Sequence, residues 1–277
     1  MKHIPLFALT AAAALAGCAS ERQTPSRPSM PTVTFTTSDF RFDGPTRVEA
    51  GVTTVRLVNQ GPELHHVQLV RLEEDKRVGD LLETMKTPGM PPAWAVFVGG
   101  PNAVAPGDTT YSVQDLAPGR YATICIIPSK DGVPHFAKGM AGEFEVVPAS
   151  GAGASEPAAD VVLELFDYSF SFSQPITPGH RVIKAVNRGP QPHEVVVFKL
   201  APGKTVHDVL AWIEGGEQGP PPAELLGGVV ALSNGRHALF GADFTPGEYA
   251  LVCFLPDVQD GKPHLAHGMV QQFTVAQ

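Results

Sequence analysis

Three residue types that bind soft metal ions recur in step along this chain. His65, Cys125, His135 and Met140 are followed by His193, Cys253, His264 and Met269, at offsets of 128, 128, 129 and 129 residues. Each copy reads Asn-x-Gly-x-x-x-His, then Cys, then Pro-His-x-x-x-Gly-Met. Two imidazoles and one thiolate in a trigonal arrangement, with a weak axial thioether, form the donor set of type 1 copper centres, which transfer electrons. Sulfur and imidazole suit both oxidation states of copper, so little need move when the charge changes. Four protein ligands also leave no open position for a substrate, and on that ground the chain is expected not to be an enzyme.

Other uses of these residues stay open. After Cys18 the chain has only Cys125 and Cys253, one per repeat, which is unlike a disulfide framework but allows an interdomain disulfide or two buried inert thiols. His66 is an alternative ligand to His65, yet only His65 has a histidine counterpart. His267 makes His-x-x-His with His264, but Lys138 holds that place in the first copy, so His267 reads as a surface residue. His180, His207 and His237 have no histidine counterparts, and Trp94 and Trp212 fall at unequal positions; all five read as ordinary surface or core residues.

The elements that must position the ligands repeat as well. Asp39-Phe40-Arg41-Phe42 returns as Asp167-Tyr168-Ser169-Phe170, and Pro118-Gly119-Arg120-Tyr121 as Pro246-Gly247-Glu248-Tyr249. Apolar residues alternate with period two, as in Val55, Leu57 and Val67, Leu69, which marks strands. His65 has the parity of Val67 and Leu69, so it faces the core. Val78, Leu81, Leu82, Met85 and Val206, Val209, Leu210, Ile213 instead follow helical spacing and predict one short helix per copy. Thr205 and Asp208 form a capping pair for the second helix. Seven or eight short strands and one helix per copy predict an all-β chain of two tandem Greek-key β-sandwiches. We expect domains at 31–148 and 159–277, joined by the small-residue linker 149–158.

With these residues in view, the chain resembles the cupredoxin family, which includes plastocyanin, azurin, amicyanin and the copper domains of nitrite reductases. The resemblance rests on Gly-Arg-Tyr-Ala-Thr-Ile-Cys-Ile-Ile-Pro (119–128), Gly-Glu-Tyr-Ala-Leu-Val-Cys-Phe-Leu-Pro (247–256) and the final Pro-His-x-x-x-Gly-Met. It implies a cupredoxin-like fold and copper on His65, Cys125, His135, Met140 and on His193, Cys253, His264, Met269. It also implies an exposed second histidine within an apolar patch, here Ile126, Ile127, Pro128, Pro134 and Phe136, with Phe254, Leu255, Pro256, Pro263 and Leu265, that docks a redox partner; packing of these residues on the core is the alternative. Two departures stand out. Nine and ten residues separate cysteine from second histidine, more than in small cupredoxins, and each loop carries Asp-Gly, a turn signal that can absorb the excess. His66 and Glu194 stand where small cupredoxins have an asparagine that pins the ligand loop.

Oxidases and nitrite reductases built from such domains need further copper ligands, a histidine beside the cysteine or His-x-His pairs, and neither occurs here. Copper carriage or storage, and a metal-free binding or scaffold module, remain as rivals to electron transfer.

The N-terminus reads as an export signal. Lys2 precedes an apolar stretch from Leu6 to Leu15, too short to span a bilayer, and Leu15-Ala16-Gly17-Cys18 resembles a bacterial lipobox whose cysteine is lipidated. Residues 1–18 are thus expected to be a lipoprotein signal and 19–30 a flexible tether. Ala19 and Ser20 lean toward the outer membrane, facing the periplasm. The expected partners are a redox or copper-handling protein of the envelope, and the membrane through the lipid. The net charge of −8 divides evenly between the repeats, and the absence of a basic patch argues against nucleic acid.

Overall fold

The computed structural model describes residues 30–87 and 89–277, so the expected signal, Cys18 and nearly all of the tether lie outside the described residues. The first repeat forms β1 (Thr32–Ser38), β2 (Arg41–Asp43), β3 (Arg47–Glu49), β4 (Gly51–Asn59), β5 (Gln68–Leu72), α1 (Val78–Thr84), β6 (Ala95–Gly99), β7 (Thr109–Leu116), β8 (Gly119–Ile124) and β9 (Ala141–Val147). The second forms β10 (Val161–Phe166), β11 (Ser169–Phe172), β12 (Gly179–Asn187), β13 (His193–Leu200), α2 (Val206–Glu214), β14 (Ala223–Leu232), β15 (His237–Phe244), β16 (Gly247–Val252) and β17 (Val270–Val275). The chain is all-β, with one short helix in each copy.

Strand alternation produces the layers. Val55 and Leu57 on β4, and Val67 and Leu69 leading into and along β5, are fully buried, so each sheet turns one apolar face inward. Parallel pairs β1–β4 and β10–β12 sit beside antiparallel ladders, in a Greek-key rather than simple meander order. Tyr121 donates its hydroxyl to Ala117 O and Tyr249 to Thr245 O, both at 2.8 Å, which fixes the corner before each cysteine strand. Leu81 on α1 and Val206 and Val209 on α2 are the buried faces of the helices. Asp208 accepts from the Thr205 amide at 2.8 Å, the expected cap, and Asp80 does the same for Arg77 at 2.9 Å.

The repeats are not beads on a string. β7 pairs with β15 and β6 with β14, so among the described residues the strands lie in two sheets, of eight and nine strands, that both run through the junction. One buried apolar cluster spans it too, joining Val70 and Phe97 to Val195, Val229 and Phe240. Close approach there needs glycine: a Cβ on Gly100 would lie 1.9 Å from Val67 O, and one on Gly228 2.0 Å from Val195 O. Among the described residues no helix is long and apolar enough to cross a membrane.

Candidate metal centre

Each Asn-x-Gly segment builds the turn that delivers the first histidine. Asn59 Oδ1 accepts from the Gly61 amide at 2.9 Å, while its Nδ2 donates to Glu63 O and Val104 O at 2.8 and 3.0 Å. Asn187 repeats the pattern with Gly189, Gln191 and Leu232. The glycine makes room for the ring: a Cβ on Gly61 would meet His65 Nε2 at 2.7 Å, and one on Gly189 would meet His193 Nε2 at 2.6 Å.

The long ligand loops close by backbone bonding. Pro128 bridges Pro134 and Pro256 bridges Pro263, pinching the intervening residues into a small turn. Gly132 and Gly261 turn it with φ of 78° and 74°. Beyond the pinch, His135 N donates to Ile127 O, Phe136 N to Cys125 O and Cys125 N to Met140 O, at 2.8 to 3.2 Å. The second loop repeats these bonds through His264, Leu265 and Cys253. The Asp-Gly turn therefore takes up the excess length, and both histidines return to their cysteines.

In the first repeat His65 Nδ1 lies 3.1 Å from His135 Nδ1, and Cys125 Sγ lies 3.5 Å from the latter. The second repeat gives 3.1 Å for His193 and His264 and 3.4 Å for Cys253 Sγ to His264 Nδ1. All six residues are fully buried, as are Met140 and Met269, whose backbone carbonyls accept from the cysteine amides. Neither cysteine is in a disulfide, which removes the interdomain bridge as an alternative. His66 turns away from this cluster and accepts from the Ile126 amide at 2.9 Å.

The outer ring nitrogens show which lone pairs are free. His135 Nε2 bonds Glu63 at 2.9 Å, His193 Nε2 bonds Asp167 at 2.7 Å, and His264 Nε2 approaches Gln191 Oε1 at 3.3 Å. A ring that donates through Nε2 presents an unprotonated Nδ1, as His135, His193 and His264 do, and each cluster points two Nδ1 atoms and a sulfur at one place. The donor set fits copper: soft thiolate and borderline imidazole converge, dry and enclosed. Burial, reinforced by the facing histidine, holds His65 and His264 down to about 4, and burial lowers His193 as well. Burial pushes the Cys125 thiol up to about 12 and raises Cys253 too, so metal binding must displace a thiol proton.

Several residues around the clusters carry functions that spacing alone did not assign. Phe40 and Tyr168, with φ of 56° and 66°, hold left-handed turns and set their rings 5.3 and 5.7 Å from His135 and His264. The signal was present in the repeated Asp-aromatic pair, whose aspartate binds the first histidine in the second repeat. Beneath this cover the second histidines are buried, not exposed as the family resemblance implied. Ile126 and Phe136 pack on the core, and Phe254 and Leu265 on the α2 cluster. His66 and Glu194 take over the pinning function: Phe254 N donates to Glu194 Oε1 at 3.0 Å, as Ile126 N does to His66.

No protein-family model matches the chain, and no characterised protein matches it in sequence. Solved structures do. A dithionite-reduced auracyanin from Roseiflexus castenholzii is 21% identical over 44% of this chain and 100% of its own, with a TM-score of 0.32. A copper nitrite reductase from Nitrosomonas europaea is 16% identical over 90% of this chain and 94% of its own, with a TM-score of 0.25. A multicopper oxidase is 17% identical over 88% of each chain, with a TM-score of 0.25. What the chain has in common with them is its all-β architecture. The expectation that the chain is not an enzyme is corrected here, because two of these similar structures are enzymes; four ligands at one centre say nothing of chemistry elsewhere in a two-repeat chain.

Proposed function

We propose that each repeat holds one type 1 copper ion, on His65, Cys125, His135 and Met140 and on His193, Cys253, His264 and Met269, and that the chain transfers electrons. The observation that carries this is the convergence, twice, of two Nδ1 atoms 3.1 Å apart and a sulfur 3.4 to 3.5 Å from one of them, in a buried cluster. Bound copper supplies a one-electron couple. The protein's part is to hold the donors still: backbone bonds close each loop, and Glu63, Asp167 and Gln191 orient the rings. Phe40 and Tyr168 keep water from the second histidines, which favours an ion that stays bound while its charge changes over one handed to another protein. The setting we propose is the bacterial envelope, with domains at 31–148 and 159–277, a lipid anchor at Cys18 and a redox protein as partner.

The test is the visible spectrum of lipid-free protein loaded with copper(II). A strong thiolate-to-copper band is expected, with two copper ions per chain, and it disappears in Cys125→Ser plus Cys253→Ser. Colourless protein without bound copper overturns the proposal.

A further inference from the structure

A line of buried polar side chains crosses the junction of the repeats between the two clusters. It begins at the residue after each cysteine, where the Ile126 amide donates to His66 Nε2 and the Phe254 amide to Glu194 Oε1. Because His66 Nε2 accepts, the neutral ring carries its proton on Nδ1, and the Asn102 side chain lies beside it. Asn102 Nδ2 donates onward to Glu194 Oε2 at 3.1 Å. His66, Asn102 and Glu194 are all buried, at 2%, 1% and 4% exposure, so no water competes for these bonds.

Three features set this bridge apart from ordinary junction packing. Both ends attach to a ligand set twice, through the amide that follows the cysteine and through the peptide bond to the first histidine, His65 or His193. His66 and Glu194 occupy equivalent places in the repeats, yet differ so that both can face one asparagine. Asn102 is locked in orientation, since Nδ2 also donates to Val195 O and Val229 O, and Oδ1 accepts from the Ala103 amide at 2.7 Å. A route of covalent and hydrogen bonds, with a single contact between His66 and Asn102, couples two redox centres better than an open gap does, because tunnelling falls steeply with each through-space jump.

We infer that His66, Asn102 and Glu194 form an internal electron route between the two ligand clusters, making the chain a two-centre relay. The inference rests on both repeats holding copper as proposed above. One electron leaves the reduced centre and arrives at the oxidised one; no bond forms or breaks and no proton crosses.

The test uses the two-copper chain carrying Met269→Gln, which gives the centres different axial donors and so separates their bands and potentials. The oxidised protein is pulsed with a small amount of a one-electron organic radical and followed at both bands over a range of protein concentrations. A second-order reduction is expected, then a first-order redistribution whose rate does not depend on concentration. Asn102→Leu in this background should slow the redistribution by about 10-fold or more, with copper content and both bands retained. Slow amide exchange at Ile126 and Phe254 in the metal-free protein should survive Asn102→Leu, because His66 and Glu194 hold those amides directly. If Asn102→Leu does not fold, His66→Asn serves instead: it keeps an acceptor for Ile126 but is too short to reach Asn102. Absence of the first-order phase, or an unchanged rate in the broken bridge, overturns the inference. Absence of the thiolate bands themselves overturns the copper proposal on which it rests.

Discussion

The two clusters share their inner donors and differ in what stands behind them. In the second repeat Asp167 bonds Nε2 of the first histidine at 2.7 Å, while the second histidine approaches only the amide of Gln191, with Asp257 behind it at 4.0 Å. In the first repeat the carboxylate has moved to the other ring. Glu63, the counterpart of Gln191, bonds the second histidine at 2.9 Å, and His65 Nε2 has no hydrogen-bond partner among the described residues although Asp39 lies near it. A carboxylate behind an imidazole raises its basicity as a ligand and fixes its orientation. The duplicated sites thus carry one carboxylate-backed histidine each, on opposite sides of the cluster, and equal ligands do not make equal centres.

The largest effect expected from this difference is on affinity. Asp167→Ala should weaken copper binding in the second repeat by about 10- to 100-fold, and Glu63→Ala should do the same in the first. Asp39→Ala, the repeat equivalent of Asp167→Ala, should change little, because Asp39 holds no ring nitrogen. Competitive titration of each variant against a copper chelator, with the other repeat silenced by its Cys→Ser change, reads the three values. Equal losses from Asp39→Ala and Asp167→Ala would show that the two clusters are backed alike.

A second contrast lies at the pinning position, where equivalent residues respond to pH with opposite sign. Burial holds His66 down to about 3, so the folded state keeps it neutral while the unfolded chain protonates it below about 6.5. Its contribution is complete above that pH and is lost as pH falls from 6.5 toward 3. Burial pushes Glu194 up to about 7, so the folded state keeps it protonated between 4.5 and 7 while the unfolded chain ionises. Its contribution is complete below 4.5 and is lost as pH rises through 7. Chemical denaturation of the metal-free protein should therefore show Glu194→Gln gaining stability over the parent from pH 4.5 to 7, on the order of 3 kcal/mol. His66→Gln should gain on the parent as pH falls from 6.5 toward 3. Parallel pH profiles for parent and both variants contradict this assignment.

Much of this was legible in the sequence, because repetition separates candidate ligands from bystanders. His65 was distinguished from His66, and His264 from His267, by whether a histidine stood one repeat away, and the clusters contain His65 and His264. Strand alternation and helical spacing likewise located the buried faces of β4, α1 and α2. Three things were not legible. The junction pairs β6 with β14 and β7 with β15, and edge-to-edge pairing leaves no period in either strand that names its partner. Asn102 has Val230 as its counterpart, so a comparison of repeats passes over it. Burial of the second histidines depends on Phe40 and Tyr168 reaching over from a turn far away in sequence, which local pattern cannot show.

Those covering residues supply the smallest and sharpest test of the comparison. Both sit at the same turn with the same left-handed backbone, and each is overlaid by its counterpart cation or ring, Lys138 at 4.9 Å over Phe40 and His267 at 5.0 Å from Tyr168. Only the tyrosine adds a polar link: its hydroxyl donates to Asp257 at 2.6 Å, and Gln191 Nε2 donates to the same carboxylate at 2.9 Å. That hydroxyl, with Gln191 and the Gln259 and Asp260 amides, holds the Asp257 carboxyl far below the usual carboxylate range. Asp257 therefore stays ionised as a loop anchor. Tyr168→Phe removes the second cover's polar link and should lower stability by the loss of that bond. Phe40→Leu keeps an apolar cover without the ring and should leave the first loop's hydrogen bonds intact. Amide exchange should then quicken at Gln259 and Asp260 in Tyr168→Phe but remain unchanged at Gly132 and Val133 in Phe40→Leu, which makes anchoring through the covering residue a property of the second centre alone.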